Sequence, residues 1–564
     1  MIRDGLNVLI GGEAGQGLLT IGQIFARVLV RSGYFIVVTQ SYQSRIRGGH
    51  NTFTVRISSK RALSPLESID ILVALDANTV IMQRENLSQK GIIIVDKKFN
   101  IVDDVCLHVP YQELTPDRLY NISALGILSA FIGLNENLVG RTLGDFFSNK
   151  DTHFIEENRQ ILTSAFSWVA RQRISLKKLP LISNPSHRLM MNGNEAIALG
   201  AISAGLKFYS FYPMTPATSI ALTLSKQAET MGFIVEQAED EIAAINMAIG
   251  ASFAGAQSMV GTSGGGFALM VEGVSLSAMT ETPLVIVIAQ RPGPATGLPT
   301  RTEQADLEFV IHSGHGEFPR AVLAPGTVED CFYLTRNAFA LAEQYQCPIF
   351  ILTDQFLADS YHAIEPFDIE NLSPIQVDTK VDDSISRYHR YLITESGISP
   401  RYVPGESEYF VIADSDEHTE DGHLTEDLQV RKKMVEKRLK KEKGIRTEVI
   451  PPRFNGDKRP DTLLVSWGSS MGAVLEAAIQ MRNNGKRIAT LHFSQVWPLV
   501  QDQFIGYLKD ARQVVCVEGN ATGQLAKLIR RETGFHIKIC VNRYDGLPIN
   551  ADFILQELNR YNKI

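Results

Sequence analysis

Cysteine is scarce in this chain, with five in 564 residues: Cys106, Cys331, Cys347, Cys516 and Cys540. No two form a C-x-x-C, which excludes a zinc knuckle or an iron–sulfur ligand set built from this chain. Buried structural thiols in a reducing compartment are the remaining reading. Long apolar runs are missing too: none approaches the roughly 20 residues that a membrane helix needs. The opening MIRDGLNVLIGG goes straight into a strand and turn, without the regions of a signal peptide. A cytoplasmic protein with no membrane partner is the expectation. Excess positive charge is absent, since the net charge is −7, which argues against a general nucleic-acid binder.

What is present is an ordinary globular composition, 44% hydrophobic and 21% charged. Such a length implies about three or four domains of roughly 150 residues each. In residues 1–180 apolar runs (NVLIGG, FIVVTQ, TFTVRIS, DILVALD, GIIIVD) alternate with amphipathic stretches. That alternation predicts a parallel, doubly wound sheet. The run Gln172–Ser186, with Lys177, Lys178, Pro180 and Pro185, reads as a linker. The alternation returns over 190–365 and again over 459–564, so three α/β domains are expected. Between the last two lies 366–458, with an acidic run (DSDEHTEDGHLTED) followed by RKKMVEKRLKKEK. The basic run predicts a solvated helix with i,i+4 pairs such as Glu436 with Lys440. Its functional alternative is an extended arm that wraps a partner chain.

Two recognised glycine fingerprints are absent. LIGGEAGQGLLTIGQIF is strand, turn and helix, and Gly12, Gly15 and Gly17 allow close approach of an anion to the helix N-terminus. Yet it is neither G-x-G-x-x-G nor a Walker A, and Thr39, Gln40 and Ser41 stand where a ribose-binding acid belongs. NAD binding is disfavoured. Arg45 and Arg47 add either a phosphate or partner contact, or only a tight turn with interface arginines.

The central region carries more chemistry. In FYSFYPMTPATSI a strand ends at Tyr212-Pro213, and Thr215 sits between two prolines. Pro216 is compatible with the first turn of the following helix, so the Thr215 hydroxyl is held at a stiff corner. EQAEDEIAAINMAIGASFAGA begins with four acids. Acids in a first turn favour the helix dipole, which is the plain reading. The small residues after them (Ala243, Ala244, Ala248, Gly250, Ala251, Ala254) suggest a helix at an interface, with Glu241 in a dry seam where its protonation carries chemistry. Next come GTSGGGF, with Gly264, Gly265 and Gly266, and PLVIVIAQRPGPATGLPTRTEQADL. The latter strand ends at Gln290, placing Arg291 at a carboxyl edge where open α/β sheets bind ligands. Arg291 and Arg301 are either carboxylate forks or ordinary surface cations. Thr296 and Thr300 add hydroxyls to a proline-rich loop.

Taken together, GGEAGQG, RIRGGH, YPMTPATS, EDEIAAINMAIGASFAGA, TSGGGFALM, QRPGPATGLPTRTEQADL, HSGHGEFPR, WGSSMGAVLEAA, HFSQVWPL and VEGNATGQL resemble the α subunit of 2-oxoacid:ferredoxin oxidoreductases, in the form with the γ subunit fused ahead of α. The resemblance spans nearly the whole chain. It implies a γ-type Rossmann-like domain, a thiamine-diphosphate pyrimidine-binding domain and a transketolase C-terminal-like domain. It implies CoA-dependent oxidative decarboxylation of a 2-oxoacid, with electrons passed to ferredoxin. Glu241 aligns with the glutamate that hydrogen-bonds the cofactor's pyrimidine ring and favours its imino form. Thr215 and Arg291 align with substrate-binding residues, Thr296 and Thr300 fall in the substrate loop, and Tyr212, Pro213, Gly264 and Gly265 are expected beside the cofactor.

A G-D-G followed by a distal Asn, the family's Mg²⁺–diphosphate motif, is absent. So are the [4Fe–4S] cysteines. The resemblance assigns both to a separate β subunit, in an αβ or (αβ)₂ assembly, and this chain is expected to hold no metal itself. Of the possible substrates, 2-oxoglutarate leads, with Arg301 as the second cation and His315 a poorer candidate. Pyruvate and branched-chain 2-oxoacids stay open, as does a non-catalytic scaffold. Retention of Glu241, Thr215 and Arg291 together argues against the scaffold.

Overall fold

In a computed structural model, residues 5–42, 49–116, 119–172, 177–183, 185–377 and 387–561 are described. The chain forms two compact units. One comprises residues 1–191 and 360–367, the other 192–359 and 368–564.

The first unit is built on an eight-stranded sheet. Its spatial order is Cys106–Val109, Leu87–Asp96, Ile69–Ala74, Leu6–Glu13, His50–Ser58, Phe35–Ser41, His362–Ile364 and Leu189–Met191. The sheet is mixed rather than wholly parallel, because His50–Ser58 runs antiparallel to both Leu6–Glu13 and Phe35–Ser41. The physical reason is chain length: residues 42–49 are too few for the crossover of a dozen or more residues that a parallel neighbour requires. Helix Leu18–Arg31 buries Ile21, Ile24, Phe25, Val28 and Leu29, the i, i+3, i+4, i+7, i+8 stripe of a core-facing helix. Part of the expected linker packs down. Lys177 Nζ donates to the carbonyls of Asp70 (3.0 Å) and Lys90 (2.5 Å), and Tyr34 donates to the Pro180 carbonyl at 2.8 Å.

The second unit holds two sheets. The larger is ordered Gln495–Trp497, Ala321–Leu323, Pro348–Asp354, Leu284–Gln290, Ser258–Thr262, Phe208–Phe211, Ile234–Gln237. All neighbours are parallel except the first pair. Leu284–Gln290 and Pro348–Asp354 are buried along their whole length, as their unbroken apolar sequences require of central parallel strands. The smaller sheet runs Arg453–Gly456, Ile488–Phe493, Thr462–Trp467, Gln513–Glu518, Ile539–Asn542. One continuous apolar core joins the two, with Ile288, Leu307, Phe350, Trp467 and Phe493 among its members.

The basic run forms helix Leu428–Thr447, but not the solvated one that its composition predicts. Met434, Lys437, Arg438, Lys441 and Ile445 make a buried stripe. Lys437 Nζ lies 2.5 Å from Glu281 Oε1 and Lys441 pairs with Oε2, with all three side chains at most 1% exposed. Glu281 has φ 48, and its carbonyl accepts from Arg390 at 2.7 Å. The surrounding cations Lys441, Lys437 and Arg390 outweigh burial and hold the Glu281 carboxyl far below the usual carboxylate range. The acidic run is equally structural. Glu417 accepts from Arg438 at 2.9 Å and Arg431 at 2.5 Å, and Asp427 caps the helix. Glu436 lies 3.9 Å from Lys432 rather than pairing with Lys440. The segment 387–458 therefore wraps its own chain. The error in composition reading is plain: a lysine reads as a surface residue unless its buried partner, here 156 residues away, is known.

A buried ion pair contributes little against a hydrophobic replacement, whereas removing one member strands the other. Glu281→Gln is expected to cost about 3–5 kcal/mol, read as a lowered urea midpoint by tryptophan fluorescence. Glu436→Gln on the exposed face of the same helix is expected to stay within about 0.5 kcal/mol of the parent.

Candidate active site

The site gathers at the carboxyl edge of the larger sheet of the second unit. Strand Phe208–Phe211 delivers Tyr212 and Pro213, both exposed, and then the Met214-Thr215-Pro216 corner. The Thr215–Pro216 bond is cis and the helix starts at Thr218, so Pro216 lies ahead of the helix rather than in its first turn. Asn194, fully buried on helix Gly193–Ala204, donates to the Pro216 carbonyl at 2.8 Å and to Ser219 Oγ at 2.7 Å. Arg291 Nη1 donates to the Thr215 carbonyl at 2.7 Å. Two of the anticipated residues are thus joined, through the backbone of one. Among the described residues the Arg291 Nε is buried without a partner, and burial lowers the pKa of its guanidinium.

Glu241 opens helix Glu241–Phe253, whose N-cap Asp240 accepts from the Ala243 N–H at 2.7 Å. The Glu241 side chain is 4% exposed, and among the described residues nothing donates to it. It rests on the glycine turn. A Cβ on Gly266 would lie 2.6 Å from Glu241 Oε1 and 2.3 Å from Thr262 Oγ1. The Gly266 N–H faces Met214 Sδ at 3.2 Å, so the proline corner, Glu241 and the triple glycine are contiguous. Ser263, at the N-cap of helix Gly264–Met279, is fully buried and its hydroxyl has no partner among the described residues. The small residues divide their labour. Ala244 and Ala248 are buried in the unit's own core, whereas Gly250, Ile242 (52% exposed) and Met247 (42%) lie on the open side of the same helix.

The loop after Arg291 leans on the turn, with the Ala295 carbonyl 3.6 Å from a Cβ built on Gly265. Ala295 and Gly297 both have positive φ, and a Cβ on Gly297 would strike the Pro292 carbonyl at 1.7 Å. Thr296 is exposed and Thr300 half-buried. Arg301 lies against Gly546, its Cβ and Cγ 3.1 and 3.3 Å from a Cβ built there. Among the described residues no group accepts from its guanidinium. His315 lines a separate groove of 370 Å³ with Ser275, Phe318 and Arg438, and its N–H donates to Ser275 Oγ at 2.9 Å.

Sequence reasoning passed over three residues here. Gln304 donates to the Trp467 carbonyl at 3.0 Å, and its amide oxygen accepts the Gly519 N–H at 2.9 Å. It thereby fixes the loop to the smaller sheet. Asp306 lies against Gly264, as Glu241 lies against Gly266. Asn194 holds the corner from behind. Gln304 and Asp306 both fall inside TEQADL, but short polar residues in a loop carry no periodic signal that would mark them.

In the first unit, Gly17 is the left-handed N-cap of its helix (φ 73) and Gly15 has φ 96 with open space where a Cβ would stand. A Cβ on Gly12 would meet Gln16 Oε1 at 2.4 Å. Nearby, His50 Nδ1 lies 3.4 Å from Thr79 Oγ1, which donates to Asp76. Among the described residues, His50 Nε2, Asp76 Oδ2 and the Tyr120 hydroxyl are buried without partners. Burial pushes the Tyr120 hydroxyl up to about 12. Arg45 and Arg47 lie outside the described residues.

The family model "Pyruvate flavodoxin/ferredoxin oxidoreductase, thiamine diP-bdg" matches residues 199–437, and "Pyruvate ferredoxin/flavodoxin oxidoreductase" matches residues 7–168. The chain is 31% identical to a 2-oxoacid:ferredoxin oxidoreductase subunit alpha of Sulfolobus sp, over 98% of this chain and 96% of the relative. It is 34% identical to the 2-oxoglutarate synthase subunit KorA of Archaeoglobus fulgidus, over 65% of this chain and 96% of that one. Among solved structures it is similar to the 2-oxoglutarate:ferredoxin oxidoreductase from Magnetococcus marinus with 2-oxoglutarate, coenzyme A and succinyl-CoA bound. The TM-score is 0.93 at 30% identity, covering 99% of each chain.

The geometry at the turn separates two neighbouring glycines. Gly266→Ala forces a methyl onto Thr262 and Glu241 and is expected to destabilise by about 1–3 kcal/mol. Gly265→Ala meets nothing closer than an ordinary contact and is expected to be neutral or stabilising by up to about 1 kcal/mol. Thermal unfolding of the two variants side by side checks the ordering.

Proposed function

The chain belongs to the 2-oxoacid:ferredoxin oxidoreductase α subunits, and from that premise we propose that it forms the pyrimidine side of an enzyme converting 2-oxoglutarate and coenzyme A to succinyl-CoA and carbon dioxide, with two electrons passed to ferredoxin. The observation that carries the reading is the unpaired, enclosed Glu241 carboxylate, contiguous with the Thr215–Arg291 corner across the glycine turn. An acceptor at 4% exposure without a donor is a costly arrangement unless a ligand supplies the donor. A ring nitrogen of thiamine diphosphate fits that requirement, and the unpartnered Ser263 hydroxyl and Arg291 Nε add further polar capacity at the same edge.

Thiamine diphosphate, when bound, supplies the carbanion and electron-sink chemistry. Glu241 holds a proton at the ring nitrogen. Tyr212, Pro213, Gly264 and Gly265 shape the wall, the glycines by letting the backbone come close. Arg291 orients the substrate carboxylate with its remaining N–H groups, while its bond to the Thr215 carbonyl keeps the Thr215 hydroxyl in place. Thr296 and Thr300 belong to the covering loop, and Arg301 takes the distal carboxylate of a dicarboxylic substrate.

The relatives are named as subunits, so the working enzyme is a multi-subunit complex. We assign Mg²⁺, the diphosphate and the [4Fe–4S] clusters to a separate β subunit, in an αβ or (αβ)₂ assembly. Ile242, Met247 and Leu269, 42–52% exposed beside Glu241, are an apolar surface for that chain to cover. Residues 1–180, 190–365, 366–458 and 459–564 are retained as the functional divisions. Gly12, Gly15 and Gly17 of the first, with Arg45 and Arg47, are assigned an anion or partner contact. No helix among the described residues is long and apolar enough to cross a membrane, and a reducing, cytoplasmic setting suits electrons of low potential.

The test is anaerobic purification of the tagged chain with its companions, followed by CoA-dependent viologen reduction with pyruvate, 2-oxoglutarate and 2-oxoisovalerate. Reduction with none of the three rejects the reading. Arg291→Ala is expected to lose about 10- to 100-fold in kcat/KM for every 2-oxoacid, as befits a charge-assisted bond worth about 1.5–3 kcal/mol. Arg301→Ala is expected to lose as much for 2-oxoglutarate alone; equal losses across substrates would sink the division of roles. Glu241→Gln is expected to assemble normally yet slow C2-proton exchange of bound thiamine diphosphate by at least about 100-fold, which NMR reads directly.

A further inference from the structure

The glycine turn has a carboxylate on each side, and the mechanism uses only one. A Cβ built on Gly264 would lie 2.4 Å from Asp306 Oδ2 and 3.0 Å from Oδ1. The Asp306 N–H donates to Gln290 Oε1 at 2.9 Å, and Gln290 Nε2 donates to the Thr353 carbonyl at 3.1 Å. Asp306 is thereby tied to the end of the strand whose next residue is Arg291.

An aspartate directly before a helix ordinarily turns back to cap it. Asp306 precedes helix Leu307–Ile311, makes no side-chain cap bond, and its carboxylate accepts no hydrogen bond among the described residues. The groups around it offer no compensation. Glu303 on its own segment carries the same sign of charge, and Glu308 is engaged by His312 (3.3 Å) and Arg531 (3.0 Å). The first turn of helix Gly264–Met279 and the loop 292–300 contain no ionisable side chain. Arg291 is directed to the Thr215 carbonyl. Burial accordingly pushes the Asp306 carboxyl up to about 6. Asp306 is half-buried and its carboxyl lies against the first glycine of the turn on which the candidate site is built; an acid whose charged form is disfavoured beside such a site has a reason in function.

We propose that Asp306 is a substrate-binding residue of the 2-oxoacid site, meeting the anionic substrate as a neutral acid and repelling it when ionised. This rests on the 2-oxoacid reading above. Binding above the titration point then takes up one proton from solvent onto Asp306, so no other reactant is consumed. Below about pH 6 the acid is already neutral and KM is flat; above it, KM rises by up to about tenfold per pH unit.

The experiment uses the purified complex with its companion chains, assayed from about pH 5.5 to 8. Asp306→Asn, which keeps the shape and removes the charge, is expected to flatten the KM profile while Glu303→Gln keeps the wild-type slope. Infrared difference spectra at about pH 7 are expected to show a carboxylic-acid band when 2-oxoglutarate is added to the parent, and none in Asp306→Asn. A wild-type slope retained in Asp306→Asn, or an acid band unchanged by that substitution, overturns the proposal. A pH-independent wild-type KM overturns it whether or not the variant assembles. A parent complex that turns over no 2-oxoacid at any pH instead overthrows the functional reading on which the proposal rests.

Discussion

The absence of side chains at Gly264 and Gly266, in the turn Gly264–Gly265–Gly266, is the constraint on which the candidate site depends. Each glycine faces a different neighbour: the Asp306 carboxylate, the Ala295 carbonyl, and Glu241 with Thr262. A methyl group at the first or last would push an acid away from the seam. The turn comes at the carboxyl end of a parallel strand, where open α/β sheets leave a crevice for ligands. The adjoining strands deliver the Thr215 corner and Arg291 to the same edge. Three separate segments become one site because their backbones can touch.

Rigidity behind that edge comes from polar bonds that join the loop to the smaller sheet. Gln304 bonds the Trp467 carbonyl and the Gly519 N–H, and Asn520 donates to the Gln304 carbonyl at 3.1 Å. Asp354, buried at the end of its strand, receives Thr302 and Ser469. The C-terminal sheet thus acts on the site by fixing the loop that carries Thr296, Thr300 and Asp306. Such buried polar networks hold one arrangement because a half-made network is costly. The segment 387–458 is held by the same logic at higher charge. Glu281 needs its lysines as much as the lysines need Glu281, so helix Leu428–Thr447 has one seat on the unit.

Much of this was legible in the chain. Unbroken apolar runs marked Leu284–Gln290 and Pro348–Asp354 as central strands, and strand–helix alternation marked the α/β class. The motif residues Thr215, Glu241, Arg291 and the glycines were visible because proline, glycine and a lone acid in a small-residue helix are locally unusual. The antiparallel course of His50–Ser58 was legible too, from the short 42–49 connection, but the regular alternation of elements concealed it. The roles of Lys437, Lys441, Gln304 and Asp306 were not legible. Their partners lie far away in sequence, and neither periodicity nor composition records a contact between residues 281 and 437.

By itself the sequence determined the strand and helix periods, the rigid proline corner and the residues able to hold a proton or a carboxylate, because these depend on local stereochemistry and side-chain type. Tertiary structure alone decided which of them meet. It set Arg291 on the Thr215 carbonyl, Arg301 against Gly546, and Asp306 and Glu241 against two glycines of one turn. Those outcomes rest on distances across strands and on burial, which raises the pKa of an unpaired acid and makes a lysine on a basic helix part of the core.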